Sequence, residues 1–318
     1  MSGSVASGVS RKPPQPDRKP QPASELRFLD PTILARLGSL ELKARTVVEG
    51  FLSGLHRSPF KGFSVEFAEY RQYLPGDDLS TIDWKVYARS DRYYVKKFEE
   101  ETNVDCHLLL DVSGSMGYGS REVTKLRYGS MLAASLAYLM NRQRDAVALT
   151  TFDEAIVTML PPSARPSHLR AVLVALDRIA LGKKTDVSKP LHLLADGIGK
   201  RGIVVLISDL LDEPERVVDG LRHFRFRGSE VIVFHLLDPA EITFPFERAA
   251  RFRDIELGDE LMAVPSVVRA QYLDALRQAL ERYKRELGSA GIDYRLMDTS
   301  TPLEFALMSY LSTRGRAR

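Results

Sequence analysis

From residue 103 almost to the end of the chain, short apolar runs alternate with amphipathic segments of helix length. The clearest apolar runs cover residues 104–110, 146–152, 203–208 and 231–237. Strands that are apolar throughout must be covered on both faces of their sheet, and the helices between them supply that cover. The alternation therefore predicts an α/β domain over residues 103–313, with a doubly wound, mostly parallel sheet.

Further elements of this domain follow from periodicity and from turn residues. A short strand at 156–160 is expected to run antiparallel, and a last strand is expected at 293–297. The amphipathic segments predict five helices, at residues 124–142, 166–180, 188–198, 214–226 and 266–287.

The chain before residue 103 has a different character. Residues 1–24 are rich in Ser, Gly and Pro, which predicts a disordered tail. Residues 25–59 show mostly helical spacing and predict one or two helices, whereas residues 60–102 are aromatic-rich and predict a small β-rich unit. The last residues, 314–318, are expected to form a basic tail.

The charge distribution and the hydropathy of the chain argue against a nucleic-acid-binding protein and against a membrane-spanning one. The net charge of +3 arises from the two ends, because residues 1–24 and 312–318 each carry +3, which leaves about −3 for the interior. Such a distribution argues against a nucleic-acid-binding face. No apolar run approaches the roughly 20 residues of a membrane helix, and the N-terminus lacks a secretory signal. We therefore expect no membrane span and a cytoplasmic protein, with the lone Cys106 reduced and buried.

The sharpest local feature is the sequence DVSGSM at residues 111–116, between the first apolar strand and a helix. Asp111, Ser113 and Ser115 are two residues apart, so that a turn at Gly114 can bring three oxygen-bearing side chains together. In an open α/β sheet, ligands bind beyond the carboxyl ends of the strands, where this loop lies. Small oxygen ligands suit a hard cation such as Mg²⁺.

Two further loops are predicted to reach the same edge of the sheet. Asp209 follows the strand at 203–208, and Thr185 and Ser188 lie in a loop before a helix. An alternative interpretation remains open, because Asp and Ser after strands are common as helix caps and turn formers.

Asp111-x-Ser113-x-Ser115, a later Thr and a later Asp resemble the metal-ion-dependent adhesion site of von Willebrand A domains. The resemblance implies a ligand set of Asp111, Ser113, Ser115, Thr185 and Asp209, with Ser188 as the alternative to Thr185. The implied ion is Mg²⁺ or another divalent cation such as Mn²⁺ or Ca²⁺.

The segment FAEYRQYLPGDDLSTIDWKVYAR, residues 67–89, resembles the signature of the bacterial family named domain of unknown function 58. In that family the signature precedes a von Willebrand A-like region. Ser80 stands where the family usually has an arginine. The acidic and aromatic residues of this segment can be structural, around the turn at Pro75, or can form a docking face. Members of that family often have N-terminal membrane helices, and we expect none here. The resemblance also implies a MoxR-type AAA+ ATPase as partner.

These observations favour a metal-ion-dependent protein–protein interaction module that acts with such an ATPase in protein assembly or maturation, and not an enzyme. An acidic side chain of the partner would complete the metal shell. A metal-dependent phosphohydrolase is the first alternative. Against it, Ser113 stands where an aspartyl-phosphate mechanism would need a second carboxylate, two residues after Asp111. A phosphate-binding loop of the type GxxxxGK[ST] is not present either, because Asp177 stands where its first glycine would lie. A metal-free scaffold is the second alternative.

Overall fold

The computed structural model describes residues 31–36, 38–57, 70–73, 87, 92–96, 104–182, 186–198, 201–248, 250–253 and 260–317. Nine helices lie within these ranges: α1 (Pro31–Arg36), α2 (Leu40–Arg57), α3 (Lys125–Arg142), α4 (Pro166–Asp177), α5 (Ser188–Gly197), α6 (Pro214–Phe226), α7 (Pro239–Thr243), α8 (Pro265–Ser289) and α9 (Glu304–Ala317). The strands are β1 (Tyr70–Gln72), β2 (Tyr94–Lys96), β3 (Asp105–Asp111), β4 (Ala146–Phe152), β5 (Ile156–Ser163), β6 (Gly202–Ser208), β7 (Glu230–Leu237), β8 (Ala250–Arg253), β9 (Glu260–Ala263) and β10 (Asp293–Asp298).

A six-stranded sheet of order β10-β7-β6-β3-β4-β5 forms the centre of the fold. All neighbouring strands pair in parallel except β4 and β5, which are antiparallel. The chain builds outward in one direction from β3 and in the other from β6, so the strand order reverses between these two strands. The predicted doubly wound, mostly parallel α/β fold is confirmed, and its switch point lies at the ends of β3 and β6.

Two apolar layers cover the sheet, one on each face. On one face, α3 is the central helix, and residues of α2, α4 and α9 belong to the same buried cluster. On the other face, residues of α5, α6 and α8 form the second cluster. The N-terminal helical segment is therefore part of the main core, since Val47, Val48 and Phe51 of α2 are buried with α3.

Several element boundaries and connections differ from the predictions. Helix α4 ends at Asp177 rather than at 180, and β5 continues to Ser163. Helix α7 and the antiparallel pair of β8 and β9 were not predicted, because elements of four or five residues are too short to show a period.

The basic segment predicted as a C-terminal tail is helical to Ala317. Arginine is a good helix former and is favoured near a helix C-terminus, so α9 continues.

The predicted β-rich unit is represented by the antiparallel pair of β1 and β2. The predicted N-terminal tail and most of the signature segment lie outside the described residues. No helix in the described part of the chain has both the length and the hydropathy needed to cross a bilayer.

A buried polar contact attaches α9 to the start of β3. The Tyr310 hydroxyl donates to Asp145 Oδ2 at 3.0 Å and lies 3.3 Å from the sulfur of Cys106, which is buried, as predicted. Both Tyr310 and Asp145 are fully buried. A buried carboxylate that loses a hydrogen-bond donor cannot turn to water for a replacement.

We therefore expect Tyr310→Phe to lower the free energy of unfolding by about 1–3 kcal/mol. Urea denaturation of the purified chain measures the effect. Tyr93→Phe is the matched control. Because 45% of Tyr93 is exposed, removal of its hydroxyl group should leave the free energy of unfolding nearly unchanged. An unchanged urea midpoint for Tyr310→Phe would contradict the contact.

Candidate metal centre

The loop after β3 brings together the three side chains that its spacing predicted. The backbone N–H of Ser113 donates to Asp111 Oδ1 at 2.9 Å, which closes the turn, and a 3₁₀ turn follows over Gly114–Gly117. The hydroxyl oxygens of Ser113 and Ser115 lie 3.1 Å apart. All three side chains are buried. The predicted cluster of Asp111, Ser113 and Ser115 is thus present in the structure.

The end of β6 supplies the second half of the centre. The Ser208 hydroxyl donates to Asp111 Oδ2 at 2.5 Å, so both oxygens of Asp111 accept a hydrogen bond. Asp209 follows directly and is only 1% exposed. Its Oδ1 atom is buried and has no hydrogen-bond partner among the described residues. An unpaired buried carboxylate oxygen is costly, and a bound cation would relieve that cost.

Burial and a neighbouring carboxylate disfavour the charged form of Asp111. Burial and, second to it, the neighbouring carboxylate of Asp209 raise the pKa of Asp111 to about 7, although hydrogen bonds from Ser208 and Ser113 lower it. Burial also lowers the pKa of His235 on β7 to about 4, so its imidazole is neutral at pH 7. The centre therefore holds carboxylates in a site where negative charge is poorly solvated, which favours a cation.

A buried lysine, which the sequence analysis missed, lies beside Asp209. Lys125 is the first residue of α3, and its ammonium nitrogen is 2.8 Å from Asp209 Oδ2 and 2.7 Å from Glu241 Oε1. The lysine side chain is 0% exposed. A cation in the first turn of a helix opposes the helix dipole, so its position there was a signal that it has an acidic partner.

Glu241 is held in place by the start of α7. Its Oε2 accepts from the backbone N–H of Asp238 at 2.6 Å, and Asp238 in turn caps the helix by accepting from Ala240. Asp238 also accepts from the backbone N–H and the hydroxyl of Ser120, at 2.9 Å and 2.5 Å. The segment after β7 is thereby bonded to the loop before α3. The sequence Asp-Pro-Ala-Glu at residues 238–241 has the pattern of a capping box, which could have identified Asp238 and Glu241 as hydrogen-bond partners.

The third predicted loop is described only in part. Gly182 donates its backbone N–H to the carbonyl of Val112 at 2.6 Å, so the chain approaches the Asp111 loop at that residue. Thr185 lies outside the described residues, and its part in the ligand set stays a prediction. Ser188, the alternative ligand, is the buried first residue of α5.

The donor set fits a hard, oxygen-binding cation. Carboxylate and hydroxyl oxygens, the ligands that Mg²⁺ and Ca²⁺ prefer, are supplied by Asp111, Asp209, Ser113 and Ser115. One of them, Asp209 Oδ1, is buried and has no hydrogen-bond partner in the part of the chain that the structure describes. Within the described ranges no group of three His, Cys, Asp or Glu side chains could hold a metal ion, so an ion here would depend on serine hydroxyls and water. Zinc, which prefers Cys and His, fits poorly.

Comparison with protein families finds one matching model, described as "Protein of unknown function DUF58", over residues 69–282. Among curated relatives, uncharacterized proteins of Mycobacterium tuberculosis and Mycobacterium bovis are each 27% identical over 232 residues. In each case the match covers 72% of this chain and 73% of the relative. None of these descriptions assigns an activity, so any functional argument must start from the site.

Solved structures of low sequence identity also align with the chain. An aerotolerance-related membrane protein from Bacteroides fragilis is 20% identical, with a TM-score of 0.46, and the alignment covers 66% of this chain and 98% of that one. The hypothetical protein BatB from Bacteroides thetaiotaomicron is 18% identical, with a TM-score of 0.47 and coverage of 67% and 99%. The SpRpn10 VWA domain is 9% identical, with a TM-score of 0.37 and coverage of 65% and 95%.

Proposed function

The chain belongs to the family described as protein of unknown function DUF58. We propose that its α/β domain is a protein-interaction module that binds its partner through one divalent cation. Mg²⁺ is the expected ion. One observation carries the proposal: Asp209 Oδ1 is buried at the sheet's switch point, where β6 meets the Asp111 loop, and no residue that the structure describes pairs with it. This is the position at which open α/β sheets bind their ligands.

Each residue of the centre has a distinct part in holding the ion. Asp209 offers its unpaired oxygen, and Ser113 and Ser115 offer hydroxyl oxygens. Ser208 and the Ser113 backbone orient the Asp111 carboxylate, which can contact the ion directly or through water. Thr185 would add a further hydroxyl from the third loop. When bound, the ion would supply a positive centre that a carboxylate of a partner can coordinate.

The balance of charge supports binding of an acidic partner. Hydroxyls and water leave positions on the ion that an exchangeable ligand can take. Since Lys125 already neutralises part of the negative charge on Asp209, the ion would keep a positive charge toward solvent. We infer that an acidic side chain of the partner completes the shell. A MoxR-type AAA+ ATPase is the proposed partner, and protein assembly or maturation the proposed process.

A pull-down with purified MoxR-type ATPase as bait tests this proposal. We expect the full chain to be retained in buffer with Mg²⁺ and released by a chelator, and Asp209→Asn to reduce retention at least about tenfold, because one carboxylate of the site is lost. Asp196→Asn, which removes an exposed carboxylate on α5, is the control and should bind normally. Retention that survives both the chelator and Asp209→Asn would refute metal-dependent binding.

A further inference from the structure

The proposed metal centre has a buried lysine beside it. Lys125 is fully buried, and its ammonium group bonds to two carboxylates from different segments, Asp209 after β6 and Glu241 in α7. Side chains this deeply buried rarely carry a charge unless it is paired. The lysine is thus a cation that the chain supplies to the site from within.

The lysine occupies only one side of Asp209. It bonds to Oδ2 at 2.8 Å and leaves Oδ1 without a partner in the described ranges of the chain. A divalent ion at Oδ1 would therefore share the carboxylate with the ammonium group, and the two cations would repel one another in a poorly solvated site. At short range in such a site, repulsion of this kind is large compared with that between exposed charges.

We propose that Lys125 is a tethered counter-ion: it keeps the buried carboxylates together when no metal is bound, and it lowers the affinity of the site for a divalent cation. The proposal rests on the function proposed above, since it concerns the same site. The chain alone then holds its ion weakly, and the affinity depends on how the charge of Lys125 is shared between Asp209 and Glu241.

Glu241 is the residue that draws this charge away from the site. It accepts from Lys125 at 2.7 Å, and its other oxygen is fixed by the backbone of Asp238. Its side chain is 20% exposed, in contrast to the fully buried Asp209. When Glu241 is replaced by an uncharged residue, only the carboxylate of Asp209 offsets the positive charge of Lys125. Loss of Glu241 and loss of Lys125 should therefore change metal affinity in opposite directions.

Calorimetric titration of the full chain with Mn²⁺ tests the proposal. We expect Glu241→Gln to weaken Mn²⁺ binding about tenfold and Lys125→Met to strengthen it at least about tenfold, because the first removes a negative charge near the ion and the second a positive one. Glu247→Gln is the control for Glu241: it removes the same charge from an exposed position six residues later, and should change binding less than about twofold.

The outcomes separate this inference from the proposed function. If the unmodified chain binds Mn²⁺ and Glu241→Gln binds as tightly as Glu247→Gln, the role of Lys125 is refuted while the metal site stands. Should Lys125→Met fail to fold, the comparison of the two glutamate variants still decides. If neither the unmodified chain nor any variant binds Mn²⁺, both the inference and the proposed metal site are wrong.

Discussion

Replacement of Lys125 by methionine should lower the free energy of unfolding of the metal-free chain by about 3–5 kcal/mol. Methionine fills a similar volume, so the loss reflects charge and not a cavity. Without the ammonium group, Asp209 loses its only hydrogen-bond donor to Oδ2 that the structure describes, while its Oδ1 is already unpaired. The carboxylate of Asp209 then lies beside that of Asp111 at the switch point of the sheet without the ammonium group to offset its charge.

Urea denaturation in the presence of a chelator measures this loss. Lys189→Met, on the exposed surface of α5, is the control and should change stability by less than about 0.5 kcal/mol. Addition of a divalent cation should restore part of the stability that the Lys125→Met chain has lost, because a ligand that binds the folded state stabilises that state. A Lys125→Met chain as stable as the unmodified one would show that the lysine is not buried between the two carboxylates.

Replacement of Gly202 by alanine should destabilise the chain by about 3 kcal/mol or more, because the added carbon has no space. Gly202 opens β6 and pairs with Asp105 of β3. A Cβ atom at this glycine would lie 2.2 Å from the backbone oxygen of Asp105. Since the obstacle is backbone and not a flexible side chain, the two central strands would have to separate.

Gly197→Ala is the matched control, with an effect of opposite sign. Gly197 ends α5, and nothing lies within 4 Å of the position that its Cβ would take. Alanine favours a helix over glycine, so we expect an increase in stability of up to about 1 kcal/mol. Thermal melting of the two variants gives the comparison. Similar melting temperatures for both would contradict the close pairing of β3 and β6.

The sheet could be predicted from sequence because its strands are apolar on both faces. The strand predicted at 146–152 and the helix predicted at 214–226 are exact, and most other boundaries fall within three residues. Apolar runs of this kind have few alternatives once helices separate them. Short elements could not be predicted in the same way: α7 depends on the capping box of Asp238 and Glu241 and not on a hydrophobic period.

The same difference applies to the candidate site, where residues in a local pattern could be predicted and a residue with distant partners could not. The spacing of Asp111, Ser113 and Ser115 could be recognised because it is local, and Asp209 because it directly follows an apolar strand of the same sheet. Lys125 was missed because its two partners, Asp209 and Glu241, lie 84 and 116 residues further along the chain. Sequence spacing does not report contacts at that distance, and only the placement of a lysine at a helix N-terminus hinted at them.

Titration of the purified chain with Mn²⁺, followed by the electron paramagnetic resonance signal of the free ion, tests the metal centre most directly. We expect one Mn²⁺ to bind per chain and excess Mg²⁺ to displace it, and we expect binding to be lost in Ser115→Ala and in Asp209→Asn but kept in Asp196→Asn. A free-ion signal that the unmodified chain leaves unchanged, or one that it and both site variants reduce equally, would refute the metal centre.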